Sequence, residues 1–230
     1  MYFSLITPAE GRERDAARQW ATANAYGDHQ WMWRFFAAAA GAPRDFLFRR
    51  SEVDGLPRFY AVSHRAPRSP ADAWQVQSRP YEPQLQTGQR LQFELRANPT
   101  VRHGRDGKSK RHDVVMDAKK RFLSDKGLTR WSDLPAGDVP ATQMVVHEAC
   151  THWLQRQGER HGFMPDAERL SVDAYQQHTD ARDRRLSFSS VDFRGELVVT
   201  DAAACLHALY RGLGHAKAFG CGLLLVKPAA

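Results

Sequence analysis

A glycine-rich segment, residues 212–224, restricts the fold more than any other part of this chain. It contains four glycines and Lys217 between a predicted helix at 201–211 and a predicted strand at 223–226. Glycines at this density let the backbone approach a bulky anion closely, and a lysine among them can contact its phosphates. A helix C-cap followed by a tight turn into the strand explains the same glycines without any ligand.

The order of elements around these glycines excludes two common phosphate-binding motifs. A dinucleotide fingerprint places its glycines after a strand and before a helix, which is the reverse of the order here. The P-loop pattern also fails, because no Gly-Lys-Ser/Thr follows at the required distance. A nucleotide-dependent enzyme is therefore disfavoured, and thermal stabilisation by ATP or NAD would revive this hypothesis.

The charge balance favours a polyanionic partner. The 230 residues include 33 Lys and Arg against 26 Asp and Glu, which gives a net charge of +7 and a pI of about 9.6. Such a charge favours binding to nucleic acid, although a basic soluble protein without such a partner has the same composition. The length allows one large or two small domains with substantial hydrophobic cores.

The cysteines and the N-terminal segment predict a cytoplasmic protein. Cys150, Cys205 and Cys221 are odd in number, widely spaced and without a Cys-x-x-Cys pair. This pattern argues against a disulfide framework or a structural zinc site, and for a reducing compartment. The apolar run at 2–6 is too short for a signal peptide or a membrane span, so no membrane association is expected.

The alternation of predicted strands and helices indicates an α+β fold. In the first half, strand, helix, hairpin and further sheet form the start of a ferredoxin-like βαββαβ unit, with Asp54-Gly55 as the hairpin signal. The second half has a similar alternation, so we predict two domains, residues 1–88 and 89–230. The predicted helices are 9–23, 28–40, 113–124, 141–157 and 201–211, and the predicted strands are 2–7, 45–50, 57–63, 74–78, 91–96, 169–175, 185–192, 195–200 and 223–226.

Two basic segments are candidates for contact with nucleic-acid phosphates. Residues 102–112 hold five Lys and Arg, one Asp and almost no apolar side chain, which predicts a mobile basic loop. Arg182, Arg184 and Arg185 lie where one predicted strand turns back into the next, so a hairpin would project guanidiniums toward phosphates or guanine edges. A solvated hairpin tip is the open alternative.

Tyr26 and His29 are candidate catalytic residues at the start of an aromatic-rich predicted helix. If the helical turn begins at Tyr26, the i,i+3 spacing brings the phenol and the imidazole to one face. A histidine can move a proton at neutral pH, as attack of a ribose 2′-hydroxyl on its adjacent phosphate requires, and that reaction needs no metal. The alternative is a packed or capping histidine. The aromatic residues that follow are expected mostly in the core: Trp31, Trp33, Phe35 and Phe36.

His147 and His152 do not have the spacing of a metal site. Residues five apart on a helix point roughly 140° away from each other, unlike the i,i+4 pair of a zinc protease. The other histidines show no ligand spacing, and neither a Gly-x-Ser-x-Gly elbow nor a paired catalytic cysteine and histidine pattern occurs. No metal and no cofactor are therefore expected.

Five collinear segments share their pattern with one protein family. They are Met1-Tyr2-Phe3-Ser4, Tyr26-x-x-His29, Arg44-Asp45-Phe46-Leu47-Phe48, Phe93-Glu94-Leu95-Arg96-Ala97-Asn98-Pro99 and the terminal Gly-x-Gly-x-x-Lys-x-x-Gly-x-Gly-Leu-Leu. Together they closely resemble the CasE family, the CRISPR repeat-processing endoribonucleases of the type I-E Cascade complex. The resemblance spans nearly the whole chain, from Met1 to Val226.

The resemblance implies two tandem ferredoxin-like (RRM-like) βαββαβ domains and metal-independent cleavage of CRISPR precursor RNA at the 3′ base of the repeat stem-loop. Cleavage would leave a 2′,3′-cyclic phosphate and a 5′-hydroxyl, and the enzyme would keep the mature guide RNA within Cascade. By position, His29 matches the family's catalytic histidine and Tyr26 its partner tyrosine, with the roles of base and acid open. The residues assigned to RNA binding are Arg34, Arg102, Arg105, Lys108, Lys110, Arg111, Arg182, Arg184, Arg185 and Lys217.

The implied partners are the repeat stem-loop and the other Cascade subunits. The lysine that some family members place near the scissile phosphate has no assigned counterpart here, and Arg182, Arg184 or Arg185 would substitute for it. A non-catalytic subunit that caps a guide RNA inside a complex is the competing hypothesis. Both hypotheses predict tight, salt-sensitive binding of a stem-loop, but only the endoribonuclease produces a cyclic phosphate end.

Overall fold

The structure is a computed structural model whose strands form two large antiparallel sheets and one two-stranded ribbon. It describes residues 1–20, 25–39, 41–105, 108–135, 137, 142–179 and 187–229. Each large sheet is built from one half of the chain, and the two form tandem ferredoxin-like domains, which confirms the predicted fold class. The boundary between residues 88 and 89 stays a prediction.

The first half forms a four-stranded sheet in the order β2-β3-β1-β4, with every neighbouring pair antiparallel. Its elements are β1 (Tyr2–Pro8), α1 (Glu13–Gln19), α2 (Ala25–Trp33), β2 (Phe46–Val53), β3 (Leu56–Ser63) and β4 (Trp74–Pro80). The predicted β2–β3 hairpin is confirmed. Asp54 and Gly55 have φ of 53° and 74°, the left-handed backbone that the favoured two-residue hairpin turn requires.

The second half repeats this strand order, with β11, β5 and β10 side by side and both β8 and β9 paired to β10. The ribbon of β6 and β7 is inserted between the first strand and the first helix of this half. The elements of the second half are β5 (Arg90–Ala97), β6 (Thr100–Arg105), β7 (Lys108–Asp113), α3 (Val114–Asp125), α4 (Thr142–His161), β8 (Phe163–Pro165), β9 (Ser171–Thr179), β10 (Ser187–Val199), α5 (Ala202–Arg211) and β11 (Leu224–Pro228).

The first half departs from the predicted helices. The predicted helix at 9–23 was wrong at its start, because Gly11 takes a positive φ of 74° and α1 begins only at Glu13. The predicted helix at 28–40 begins earlier and ends earlier, at Ala25–Trp33. Residues 64–73, between β3 and β4, form turns and bends, so this half lacks the second helix of a complete βαββαβ unit.

The second half corrects the prediction of separate strands at 185–192 and 195–200. Both belong to β10, a single strand of 13 residues that pairs with β9 along its first part and with β8 at its end. Gly195 suggested a break between two strands. It instead lies inside β10, at a point where the backbone of Arg169 comes too close for a side chain. A Cβ at this position would lie 2.5 Å from the carbonyl oxygen of Arg169, so only glycine permits the approach.

An apolar cluster joins the two domains. Each domain has its own hydrophobic core, and between them Leu47 and Val62 of the first sheet contact Leu223 of the glycine-rich segment. Tyr81, in the connection between the sheets, packs edge-on against Tyr210 at 5.9 Å between ring centroids. The relative position of the domains is therefore held by contacts between residues from both halves.

A buried ion-pair network also crosses this interface. Arg49 of β2 is 3% exposed, and its Nη2 lies 3.3 Å from Glu94 Oε2 and 3.9 Å from Asp192 Oδ1. Arg96 Nε and Nη2 donate to the two oxygens of Asp192 at 2.8 and 2.7 Å. Asp192 thus lies between one arginine from each domain. Removing such a shared carboxylate leaves buried positive charge, which is costly.

The three cysteines, Cys150, Cys205 and Cys221, are all free and buried. Burial raises the pKa of the Cys150 and Cys221 thiols to about 12.

Within the described ranges, no helix has the length and apolar character needed to cross a membrane.

Candidate active site at the interdomain cleft

Helix α2 carries the two predicted catalytic side chains on one face. The rings of Tyr26 and His29 have centroids 6.4 Å apart, as expected for positions one helical turn apart. Tyr26 is 40% exposed and His29 is partly buried. The phenol and the imidazole are therefore close to each other, with the phenol accessible to a large substrate.

Helix α2 is fixed to the first sheet by its opposite face. Trp31 and Met32 are 4% and 0% exposed, and Trp31 packs against Trp74 at 5.3 Å between ring centroids. Asp28 is also buried, accepts a hydrogen bond from Trp20 Nε1 at 3.1 Å and pairs with Arg50 at 3.3 Å. These contacts hold the backbone that presents Tyr26 and His29 in one position.

The expectation that the aromatic run mostly forms core agrees with the structure. Phe35 and Phe36 are 2% and 1% exposed, and Phe36 stacks on Phe46 at 4.2 Å between ring centroids. Trp33 is only partly buried and meets the His29 ring edge-on at 6.4 Å.

The His29 imidazole lies in a half-buried pocket formed by both domains. The Phe219 ring meets it edge-on at 5.9 Å between centroids. Burial lowers the pKa of His29 below 6.5, the positive charge of Arg44 lowers it further, and a hydrogen bond with the Ala218 backbone acts in the opposite direction. Its Nδ1 atom is buried and has no hydrogen-bond partner among the described residues. The imidazole is consequently neutral at neutral pH and able to accept a proton.

The glycine-rich segment delivers Phe219 to this pocket through a compact helix-to-strand turn. Gly212 has a φ of 71°, and a Cβ there would lie 2.8 Å from Gly222 O and 2.9 Å from Leu47 Cδ1. Leu213 N donates to Gly222 O at 2.8 Å, which closes the turn. These close approaches give Gly212 and Gly222 a structural role and seat the segment against strand β2 of the first domain.

Lys217 caps the C-terminus of α5. Its Nζ donates to the carbonyl oxygens of Arg211 and Gly212 at 2.7 and 2.9 Å. A cation at this end of a helix satisfies carbonyls that have no partner within the helix. Burial lowers the pKa of Lys217, and the charges of Arg44 and Arg211 lower it further. The helix-cap explanation of this segment is thus supported by direct bonds, and the RNA contact of Lys217 stays a prediction.

A cleft of about 530 Å³ lies between α2 and β2 on one side and β9 and β10 on the other. Tyr26 and Phe219 line it, together with Arg50 and Arg96. Across the cleft from α2, three rings stack in a column. His178 lies over Phe188 at 4.6 Å, and Phe188 lies over Phe219 at 5.2 Å between centroids. The column runs from the Phe188 and His178 pair, next to the last described pair of the β9–β10 hairpin, to the ring that contacts His29.

The tip of the β9–β10 hairpin lies outside the described residues. Arg182, Arg184 and Arg185 are in this part, so their RNA contacts stay predictions. The last described pair of the hairpin is Thr179 with Ser187. Thr179 lines the cleft, so the segment that carries these arginines begins at the cleft's edge.

The predicted mobile loop at 102–112 was wrong, because residues 102–105 and 108–112 belong to strands β6 and β7. Arg102 and Arg111 face each other across the ribbon and both are exposed, as is Lys110. Arg105 and Lys108 pair at its end through their backbones. Asp106-Gly107, which lies outside the described residues, is a favoured hairpin dipeptide and was the sequence signal for pairing of the flanking strands.

The ribbon is anchored to the rest of its domain despite the like charges that face each other. His103 Nε2 lies 2.7 Å from Asp117 Oδ1 on α3, and Asp113 caps that helix by accepting from Met116 N at 2.8 Å. The charges of Arg111 and Arg102 add to burial in lowering the pKa of His215, so the ribbon lies near the glycine-rich segment.

Arg34 lies outside the cleft lining and follows α2 directly. It is exposed, and its guanidinium carbon lies 4.3 Å from the centroid of the Trp31 ring. The contact with Trp31 does not test the predicted binding of RNA by Arg34. Within the part of the chain that the structure describes, no group of three or more His, Cys, Asp or Glu side chains is arranged to hold a metal ion.

Sequence reasoning missed four side chains of the site. Arg44 was noted only within a shared segment, although it lies two residues before β2, an edge strand of the first sheet. Phe188, Phe219 and His178 had no signal, because they come together only when the second domain folds.

The fold and the site together define a two-domain ferredoxin-like protein with a tyrosine and histidine pair beside an interdomain cleft. The family model described as CRISPR associated protein matches residues 1–228. The Cascade subunit CasE of Escherichia coli is 30% identical over 99% of this chain and 100% of its own length. The chain therefore belongs to the CasE family of CRISPR associated proteins.

Two further similarities come from Thermus thermophilus. Its CRISPR-associated endoribonuclease Cse3 is 32% identical over 65% of this chain and 61% of its own length. Cse3 bound to an RNA representing a pre-cleavage complex has a similar structure, with a TM-score of 0.66 and 27% identity over 99% of both chains.

Proposed function

We propose that this chain is the endoribonuclease that processes CRISPR precursor RNA. It cleaves at the 3′ base of the repeat stem-loop without a metal ion, leaves a 2′,3′-cyclic phosphate and a 5′-hydroxyl, and stays on the guide RNA within Cascade in the cytoplasm. The observation that carries the proposal is the Tyr26 and His29 pair on α2 beside the interdomain cleft, in a member of the CasE family. The relative named an endoribonuclease and its RNA complex support it.

In the proposed reaction, the 2′-hydroxyl oxygen attacks the adjacent phosphorus. The O2′–P bond forms as the P–O5′ bond breaks, so one group must accept the 2′-hydroxyl proton and another must protonate the leaving O5′. The lowered pKa of His29 supports the imidazole as the acceptor. The exposed phenol of Tyr26, one helical turn away, is then the proton donor.

The basic surfaces suit the phosphates of a stem-loop. The net charge of +7 and the exposed Arg102, Lys110 and Arg111 of the β6–β7 ribbon supply cations outside the cleft. Side chains do not readily enter the deep major groove of A-form RNA, so backbone shape and phosphates dominate such recognition. We propose that the ribbon and the β9–β10 hairpin hold the stem while its 3′ base reaches the cleft.

The test is incubation of the purified chain with its cognate repeat RNA in the presence of EDTA. We expect a cut product that ends in a 2′,3′-cyclic phosphate. Tight binding without any cut product would instead support the non-catalytic RNA-binding subunit. A cut that disappears when EDTA is added would contradict the metal-independent mechanism.

The rate of cleavage is expected to rise with pH around the lowered pKa of His29. A base must be neutral to accept a proton, so kcat/KM should increase through a midpoint below 6.5 and reach a plateau by neutral pH. The measurement is kcat/KM against pH, because this ratio reports the ionisation of the free enzyme. A rate that falls over the same range would make His29 the acid rather than the base.

A further inference from the structure

The β9–β10 hairpin presents one face of its described part to the cleft. His178 and Phe188 are cross-strand partners on this face, and so are Gln176 and Ser190. All four line the cleft, as does Tyr26 on α2. The His178 ring is held in place, because its Nε2 atom lies 2.8 Å from the Oγ atom of Ser190, which is 4% exposed. The cleft therefore has a fixed aromatic surface on the side opposite the phenol of Tyr26.

One ring of this surface has a face that no other ring covers. Phe188 has two stacked neighbours, His178 at 4.6 Å and Phe219 at 5.2 Å between ring centroids. Among the described residues, His178 has only Phe188 as a stacked neighbour, and no guanidinium lies over it. The imidazole is partly buried and lines the cleft. A planar group that enters the cleft can therefore extend the column by stacking on His178.

The polar groups beside this ring suit a nucleobase better than an apolar side chain. Gln176 and Gln177 precede His178 in β9, are exposed and line the cleft. Among the described residues, the Gln176 amide has no hydrogen-bond partner. Proteins bind unpaired RNA bases by stacking on aromatic rings, including histidine, and by hydrogen bonds to the base edges. The cleft volume of about 530 Å³ lies within the usual range for small-ligand sites, so a single nucleoside fits.

The proposed chemistry indicates which nucleotide reaches this surface. Tyr26, the proposed proton donor to the leaving O5′, lines the cleft. The nucleotide that carries O5′ follows the scissile phosphate. It lies outside the stem, because the proposed cut is at the 3′ base of the stem. Its base is thus unpaired and available for stacking.

We propose that the cleft is the binding site for the base of the nucleotide directly 3′ of the scissile phosphate, which stacks on His178 and accepts or donates a hydrogen bond at the Gln176 amide. This inference rests on the proposed function. The nucleotide leaves with the 3′ product, so the stack strengthens binding of the uncleaved precursor and contributes nothing to retention of the guide RNA. His178 thereby distinguishes precursor from product.

The experiment combines His178→Ala with an abasic nucleotide directly 3′ of the scissile phosphate, and measures the single-turnover kcat/KM for all four combinations. Each change alone is expected to lower kcat/KM about 5- to 150-fold, the usual range for loss of one stack between a base and an aromatic ring. Together they should lower it little further, because both remove the same contact. Affinity for the product guide RNA, which lacks this nucleotide, should stay unchanged.

His178→Phe and His147→Ala are the matched controls. Phenylalanine keeps a flat ring at position 178 and should retain most of the rate, although the contact with Ser190 Oγ is lost. His147 is exposed on α4 and outside the cleft lining, so its replacement should leave every value unchanged. A loss of rate in His178→Ala that is equally large on abasic and unmodified RNA, or an equal loss of affinity for the product, would show a structural role and overturn the inference.

A precursor with a 2′-deoxy sugar at the cleavage site separates this inference from the proposed function. It has no 2′-hydroxyl to attack the phosphate, so its dissociation constant reports binding alone. The abasic change should weaken its binding to the wild-type chain about 5- to 150-fold and have little effect on binding to His178→Ala. An unchanged dissociation constant for the wild type overturns the inference even if the chain cleaves normal RNA. A chain that binds in this base-dependent way but cuts no RNA overturns the proposed function alone.

Discussion

Replacing His29 by alanine is expected to lower the single-turnover cleavage rate on the order of 10²–10⁴-fold, the usual contribution of general acid or base catalysis. RNA affinity should remain close to that of the wild type, because the basic residues proposed to contact phosphates are unchanged. The imidazole also contacts the Ala218 backbone and the rings of Trp33 and Phe219, so the melting temperature of the variant is measured beside its rate. The rate and the dissociation constant are measured on the same repeat RNA.

The matched control for this variant is His64→Ala. His64 is an exposed histidine of the same domain, at the turn after β3 and outside the cleft lining. Its replacement should leave both the rate and the affinity unchanged. A loss of affinity in His29→Ala as large as the loss of rate would make His29 a binding or folding residue, contrary to the proposal.

Replacing Asp192 by alanine is expected to lower the free energy of unfolding by about 3 kcal/mol, the lower end of the range for breaking a buried ion pair. The variant leaves Arg49, which is 3% exposed, without its partner in the second domain's β10, and Arg96 loses two hydrogen bonds. Glu94 still lies 3.3 Å from Arg49 and limits the loss. Urea denaturation followed by intrinsic fluorescence measures the change.

Asp15→Ala is the control for Asp192→Ala. Asp15 pairs with Arg12 at 3.1 Å on the surface, with side chains 44% and 55% exposed. Solvent-exposed pairs contribute only about 0.2–1 kcal/mol, so this variant should unfold close to the wild-type denaturant concentration. Equal losses in the two variants would show that the interdomain network does not stabilise the fold.

Elements with strong local signals were predicted well from the sequence. The Asp54-Gly55 turn and the β2–β3 hairpin occur as expected, and α3 and α5 begin one residue after the predicted starts at Asp113 and Asp201, which cap them. Turns and caps depend on residues within a few positions of one another, so they can be inferred from the sequence. The β6–β7 ribbon was missed because its charged composition outweighed a hairpin dipeptide at 106–107.

The candidate site was predicted only in part. Tyr26 and His29 share a helical turn, so their proximity followed from spacing alone. The lowered pKa of His29 could not be inferred from spacing, because it depends on burial between two domains and on the charge of Arg44. Arg182, Arg184 and Arg185 lie outside the described residues, and their role stays a prediction.

The sequence by itself determined the local elements, the basic charge, the tyrosine and histidine pair and the family resemblance, since each is a property of composition or of residues close along the chain. Only the tertiary structure decided that Phe219 meets His29 across the domain interface and that Lys217 caps α5. Contacts between distant segments depend on how the two sheets pack. That packing arises from the joint burial of Leu47, Val62 and Leu223, which no short stretch of sequence specifies.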